Sequence, residues 1–175
     1  MAPGLHPSSR KMPSVATKYF GTLSYADESV YDFPQGLPAF EREKAFVLVQ
    51  LPERAPLVFL QSLASPALCF LAFPILVVDP DYQLAIAPEE LEALGLDAQR
   101  QPELGPEVLA LALVSLHADF SATANLMAPI VLNLKSRRGL QSIRRDARYS
   151  HQQPVGAAAG QTAPAAGEGI SESAC

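Results

Sequence analysis

The sequence predicts a mainly β protein, a small antiparallel β-barrel-like domain with one or two short helices and flexible N- and C-terminal tails. Three observations carry this expectation. The chain holds 16 prolines in 175 residues, and each removes a backbone donor and fixes one torsion, which excludes long helices and long central strands from most of it. Between the prolines lie apolar runs of strand length, rich in Val, Ile, Leu and Phe. Only one segment carries both the start and the stop signals of a helix.

In chain order, residues 1–14 (MAPGLHPSSRKMPS) lack the apolar pattern of a packed element and read as a disordered segment. TKYFGTLSY at 17–25 alternates around Gly21, and VYDFP at 30–34 repeats large side chains, so both are predicted strands. A short helical turn is placed at 41–44. Strands follow at 45–51 (AFVLVQL), at 57–63 (LVFLQSL), and on both sides of Pro74 as LCFLAF and ILVV. The helix is 88–94: Pro88 suits the first turn, Glu89 and Glu90 favour the positive end of the dipole, and Gly95 can end it. VLALALVSL at 108–116 and IVLNL at 130–134 complete the sheet. Residues 151–175 are rich in Ala and Gly with almost no large apolar groups, which predicts a disordered tail.

The domain is therefore 15–150, long enough to bury a core without a disulfide or a metal. Composition agrees, with 49% hydrophobic and 18% charged residues and a net charge of -5. Cys69 sits in an apolar run and Cys175 ends the tail, so no disulfide framework is expected. No secretory pattern opens the chain, and the densest apolar stretch, 68–78, is far shorter than a membrane span. A cytoplasmic monomer without membrane contact is the expectation.

Reactive groups are scarce. The sequence has no GxSxG, GxGxxG or Walker loop, and its glycines within 15–150 are isolated turn or bulge residues. His117 is the one histidine well inside the domain, too few for a metal site. It stands near Asp119, but neighbouring polar residues at a strand end are ordinarily solvated. Cys69 reads as a small buried hydrophobe rather than a nucleophile. No enzyme, cofactor or metal is expected.

Charge is distributed unevenly. Residues 79–107 carry Asp79, Asp81, Glu89, Glu90, Glu92, Asp97, Glu103 and Glu107 against Arg100, whereas 135–148 carry Lys135, Arg137, Arg138, Arg144, Arg145 and Arg148 against Asp146. The basic segment supports an alternative reading, an RNA-binding β-barrel using 135–148. Against it stand the acidic balance of the chain and the absence of interleaved aromatics; an exposed face pairing with internal acids is the favoured reading. Asn125 and Asn133 interrupt apolar runs, and a buried amide must find hydrogen bonds, so both satisfy backbone groups or meet a partner.

Several spaced segments belong together: KYFG (18–21), DFPQGLPAFE (32–41), FLQSL (59–63), TANLMAPIVLN (123–133), GLQ (139–141) and RYS (148–150). In order and spacing the chain resembles the flagellar assembly factor FliW family across 15–150. It departs from that pattern at Ala39, where glycine is usual, and in its tail. The resemblance implies a non-catalytic β-barrel-like protein that binds flagellin in the cytoplasm and, when free of it, binds and antagonises the translational regulator CsrA, so that flagellin synthesis follows assembly.

A partner-binding set follows from the residues and the resemblance together. In FPQGLPAFE, Pro34 and Pro38 stiffen a loop, Gly36 permits an unusual torsion, and Phe33 and Phe40 can anchor it. Glu89, Glu90 and Glu92 place negative charge where it can meet basic CsrA side chains and repel RNA. With Asn125 and Asn133 these form the candidate contact residues: Phe33, Pro34, Gly36, Phe40, Glu89, Glu90, Glu92, Asn125 and Asn133.

Overall fold

The computed structural model describes residues 12–156, so the tails expected at 1–14 and 151–175 lie for the most part outside the described residues. The described residues open with a hairpin, β1 (Ser14–Thr17) and β2 (Gly21–Ser24). A single strand over 17–25 was expected; instead residues 18–20 turn. Thr17 closes that turn locally, its hydroxyl donating to the Gly21 carbonyl at 2.9 Å and accepting the Phe20 N–H at 2.9 Å, while Gly21 takes a φ of +64°.

Six strands then run antiparallel in sequence order: β3 (Val30–Asp32), β4 (Ala45–Gln50), β5 (Val58–Ser62), β6 (Cys69–Pro74), β7 (Val108–Leu116) and β8 (Ala122–Asn133). Two short strands, β9 (Gly139–Gln141) and β10 (Gln153–Val155), share the remaining edge of β8. Near β9 a parallel bridge joins Asp32 to Arg138, and the Asp32 N–H donates to the Arg137 carbonyl at 2.8 Å. That contact brings the first strand of the sheet back to the last part of the chain and nearly closes the barrel.

The sheet continues past residue 150, because β10 pairs with residues 122–124. Its QPV sequence is too short and too proline-broken to read as a strand, yet an edge position tolerates a proline. ILVV, expected as a strand, is a single helical turn, α1 (Ile75–Val78). Pairing of β6 with β7 ends at Pro74; beyond it the Asp79 N–H returns to the Ile75 carbonyl at 2.9 Å, Ile75 is buried and Val77 is exposed. The helical turn expected at 41–44 is a plain turn. The predicted helix is present as α2 (Pro88–Leu94), with Gly95 left-handed at φ +76° behind it.

Phe33, Phe46, Leu60, Leu111, Ile130 and Leu132 form the centre of the barrel, all fully buried. Phe33 meets Phe46 edge to face at 5.1 Å and closes over Gly139, where an added Cβ would lie 2.5 Å from the Phe33 ring. That close approach requires the glycine of GLQ.

In β8, Leu111 pairs with Ile130 and Leu113 with Asn125, so residues 126–129 stand opposite Ala112 alone. Asn125 Oδ1 organises this bulge by accepting the N–H groups of Met127 and Ala128, both at 3.0 Å. The bulge carbonyls find partners elsewhere: Leu126 accepts from the Tyr82 hydroxyl at 2.8 Å, Met127 from the Arg144 N–H at 2.9 Å, Ala128 from Gln141 Nε2 at 2.9 Å and Pro129 from the Ser142 N–H at 3.0 Å. The NLMAP motif thus bends the strand while leaving these buried carbonyls bonded.

Candidate partner-binding surface

Helix α2 is only two turns long and is held at both ends. At its start, Glu90 Oε2 accepts the Ala87 N–H at 3.2 Å and the Ser142 hydroxyl at 2.7 Å. At its finish, the Leu94 carbonyl accepts Asn133 Nδ2 at 2.9 Å and the Ser136 hydroxyl at 2.8 Å. Asn133 Oδ1 in turn accepts the N–H groups of Lys135 and Ser136 at 2.8 and 3.1 Å. Between these tethers Leu91 and Leu94 pack on Val108 and Val131. The opposite face presents Glu89 and Glu92 to solvent, and neither makes an ion pair among the described residues.

Two clefts flank the helix. One runs between residues 84–90 and the segment after β9, lined by Leu84, Ile86, Glu89, Ile143 and Arg145. The other lies between the 34–36 loop, Ala93 and Arg138 to Leu140. The structure therefore brings Pro34 and Gly36 to the same wall as α2, a proximity that no local sequence signal announces.

Inside the 33–41 loop the residues divide sharply. Phe33 is fully buried and Leu37 nearly so. Gly36 has a φ of +72°, and an added Cβ would lie 2.6 Å from the Glu41 backbone, so no other residue fits. Leu37 and Phe40 exchange backbone hydrogen bonds around Pro38 and Ala39, with Ala39 at φ +68°. A proline followed by a positive φ is the pattern of a type II turn, which explains why glycine would be at ease where this chain has alanine. Phe40 is partly exposed but leans edge-on against Phe70 at 5.3 Å.

Of the nine candidate contact residues, Pro34, Glu89 and Glu92 are exposed, Phe40 is partly so, and Glu90 is half-buried in its capping bonds. Phe33 and Asn133 lie inside the molecule and Gly36 is enclosed by the loop. Asn125 is taken up by the β8 bulge. These last four shape the surface: Phe33 and Asn133 are buried, Gly36 is enclosed, and Asn125 Oδ1 is engaged within the bulge.

Part of the basic segment is built into the fold. Arg144 is buried, donates to Asp146 Oδ2 at 2.6 Å and to the Gln83 carbonyl at 2.6 Å, and lies over the Tyr149 ring at 4.8 Å. Asp146, bonded first of all by that guanidinium, is held below the usual carboxylate range. Arg137 bonds the Tyr31 hydroxyl at 2.7 Å, and Arg148 bonds Gln83 Oε1 at 2.7 Å. The fold thus takes up Arg137 and Arg144, while Lys135, Arg138, Arg145 and Arg148 remain exposed at the surface.

The other titratable groups have equally local explanations. Burial pushes the Cys69 thiol up to about 11, so it stays protonated at neutral pH. His117 Nε2 lies 3.0 Å from Thr123 Oγ1, and Asp119 is bonded by Ser121; the two do not form a pair. Arg100 bonds both oxygens of Glu107, at 2.7 and 2.6 Å, and holds that carboxyl down at about 2. Among the described residues no group of three or more His, Cys, Asp or Glu side chains is placed to hold a metal.

Fold and surface together define a small β-barrel-like scaffold that carries a short acidic helix tethered to its wall. The model of the family described as FliW protein matches residues 14–155, and the chain belongs to the FliW family. Its relatives include the flagellar assembly factor FliW of Syntrophomonas wolfei, 35% identical over 142 residues, 81% of this chain and 87% of that protein. The flagellar assembly factor FliW of Bacillus subtilis is 30% identical, covering 81% of this chain and 96% of its own length. A crystal structure of the flagellar assembly factor FliW superposes with a TM-score of 0.69 at 34% identity, over 81% of this chain and 96% of that one. The family is one of flagellar assembly factors, not of enzymes.

Proposed function

We propose that this protein binds flagellin in the cytoplasm and, when free of it, binds and antagonises a CsrA-type translational regulator, so that flagellin synthesis follows filament assembly. The observation that carries the reading is the FliW match over 14–155, which spans the whole barrel, both tethers of α2 and β10. The surface suits it. Glu89 and Glu92 project from a helix fixed at both ends, so their charges are presented without the entropic cost of ordering a loop. A regulator that grips messenger RNA must carry basic side chains, and such a face is drawn to these acids while RNA is repelled.

Titration of the full chain with flagellin and with the regulator, each alone and then in competition, tests this. Both should bind, and flagellin should release the regulator. The variant pair Glu89→Gln and Glu92→Gln should weaken regulator binding at low salt, with the loss shrinking as salt rises. Glu90 is left out because its carboxylate holds the helix. Unchanged regulator affinity at low salt would remove α2 from the interface.

A further inference from the structure

We propose that α2 is a strap across β9, and that release of this strap and opening of the barrel seam are one cooperative event, so that the helix and the 33–41 loop are coupled. The helix is bonded to the chain on both sides of the short strand Gly139–Gln141. Before β9, the Leu94 carbonyl accepts from Asn133 and Ser136; beyond it, Glu90 Oε2 accepts the Ser142 hydroxyl. A shift of the strand therefore pulls on both ends of the helix.

The seam beside β9 is the narrowest join in the ring. β4 pairs with β5 at five positions and β5 with β6 at four. β3 meets the far end of the sheet through one bridge, between Asp32 and Arg138, with the Asp32 N–H donating to the Arg137 carbonyl. Side chains reinforce it: the Arg137 guanidinium donates to the Tyr31 hydroxyl at 2.7 Å and lies 5.3 Å from the centre of that ring, and Phe33 covers Gly139. Arg137 is held at a φ of +58° within a turn where its N–H donates to the Asn133 carbonyl and the Asn133 N–H to the Arg138 carbonyl. Asn133 thus serves both structures, its backbone closing the turn that carries Arg137 to the seam and its amide fastening α2.

A join with few bonds opens at a lower free energy than the whole fold, and elements that share a residue, a turn and a strap open together. Ala93 of the helix and Pro34 to Gly36 of the loop line one cleft beside this seam. Holding either wall therefore biases the other, and the coupling is reciprocal. It belongs to the free chain, whichever proteins that chain meets, and stands or falls apart from the proposed function.

Native-state hydrogen exchange on full-length wild type, Tyr31→Phe and Ser142→Ala tests it, under conditions where exchange follows the opening equilibrium. The first substitution removes a bond to β3 and the second a bond to α2. Tyr31→Phe should speed exchange of the Leu91, Gly95 and Leu96 amides, which bond to the Ala87, Glu92 and Leu91 carbonyls, by about tenfold. Ser142→Ala should speed the Asp32 amide by about fivefold. Amides of β5 and β6, opposite the seam in the strand order, should stay within about twofold in both. Acceleration confined to the substituted side in either variant, or shared equally by β5 and β6, overturns the proposal.

Discussion

The two ends of the β7–β8 ribbon are made of similar residues put to opposite uses. At one end Val108, Leu111, Ile130, Val131 and Leu132 are sealed in the interior, and Asn133 reaches across to fasten α2. At the other end Leu116 and Phe120 stand in solvent on a braced turn. Both ends are ordered by dense hydrogen bonding, but only the first gains stability from its side chains. Rigidity and burial are thus separable in this fold.

Substitutions can break that contrast, and the largest effects belong to the buried end. Gly139→Ala puts a Cβ 2.5 Å from Phe33 and 2.8 Å from Leu132; overpacking of that kind should cost about 3 kcal/mol, and thermal melting should fall by roughly 10 °C. Asn133→Ala strands the Lys135 N–H and loosens the end of α2, so chemical denaturation should show a loss of about 2 kcal/mol. If instead Asn133→Ala left stability intact and abolished partner binding, Asn133 would be a contact residue and the tether account would be wrong.

Smaller effects sharpen the comparison. Ala39→Gly relieves a φ of +68° and should raise stability by about 0.5 kcal/mol once the entropy of glycine is discounted. Arg100→Ala, just before the buried end, should let the Glu107 carboxyl rise from about 2 toward its ordinary 4.5 in an NMR titration. The sign follows from a carboxyl lowered in the folded state: the benefit of that pairing is complete above the unfolded pKa and is lost as pH falls through about 2.

Much of the frame was legible in sequence. β7 and α2 fall on the predicted residues because proline, glycine and acids punctuate them and a long apolar run has little else to become. ILVV misled because its β-branched residues suit a strand, while the end of pairing at Pro74 decides otherwise. The hairpin turn at 18–20 depends on Thr17, whose bonds to neighbouring backbone leave no periodic trace.

The candidate surface was legible only in part. That Glu89 and Glu92 face outward follows from the helix pattern around Leu91 and Leu94. That Glu90 holds Ser142, and that Asn133 holds Leu94, depends on residues 52 and 39 positions away, beyond the reach of any local rule. Arg144 similarly reads as part of a basic face until Tyr82, Tyr149 and Asp146 are seen around it.

On the proposed function, this barrel works by being occupied, with flagellin and a regulator excluding one another. Competition calorimetry at low salt measures it most directly: flagellin is titrated into a mixture of the full chain with a CsrA-type regulator. Release of the regulator in proportion to the flagellin bound is the expected result. A complex that flagellin neither joins nor disrupts, or a chain that holds neither protein, would contradict it.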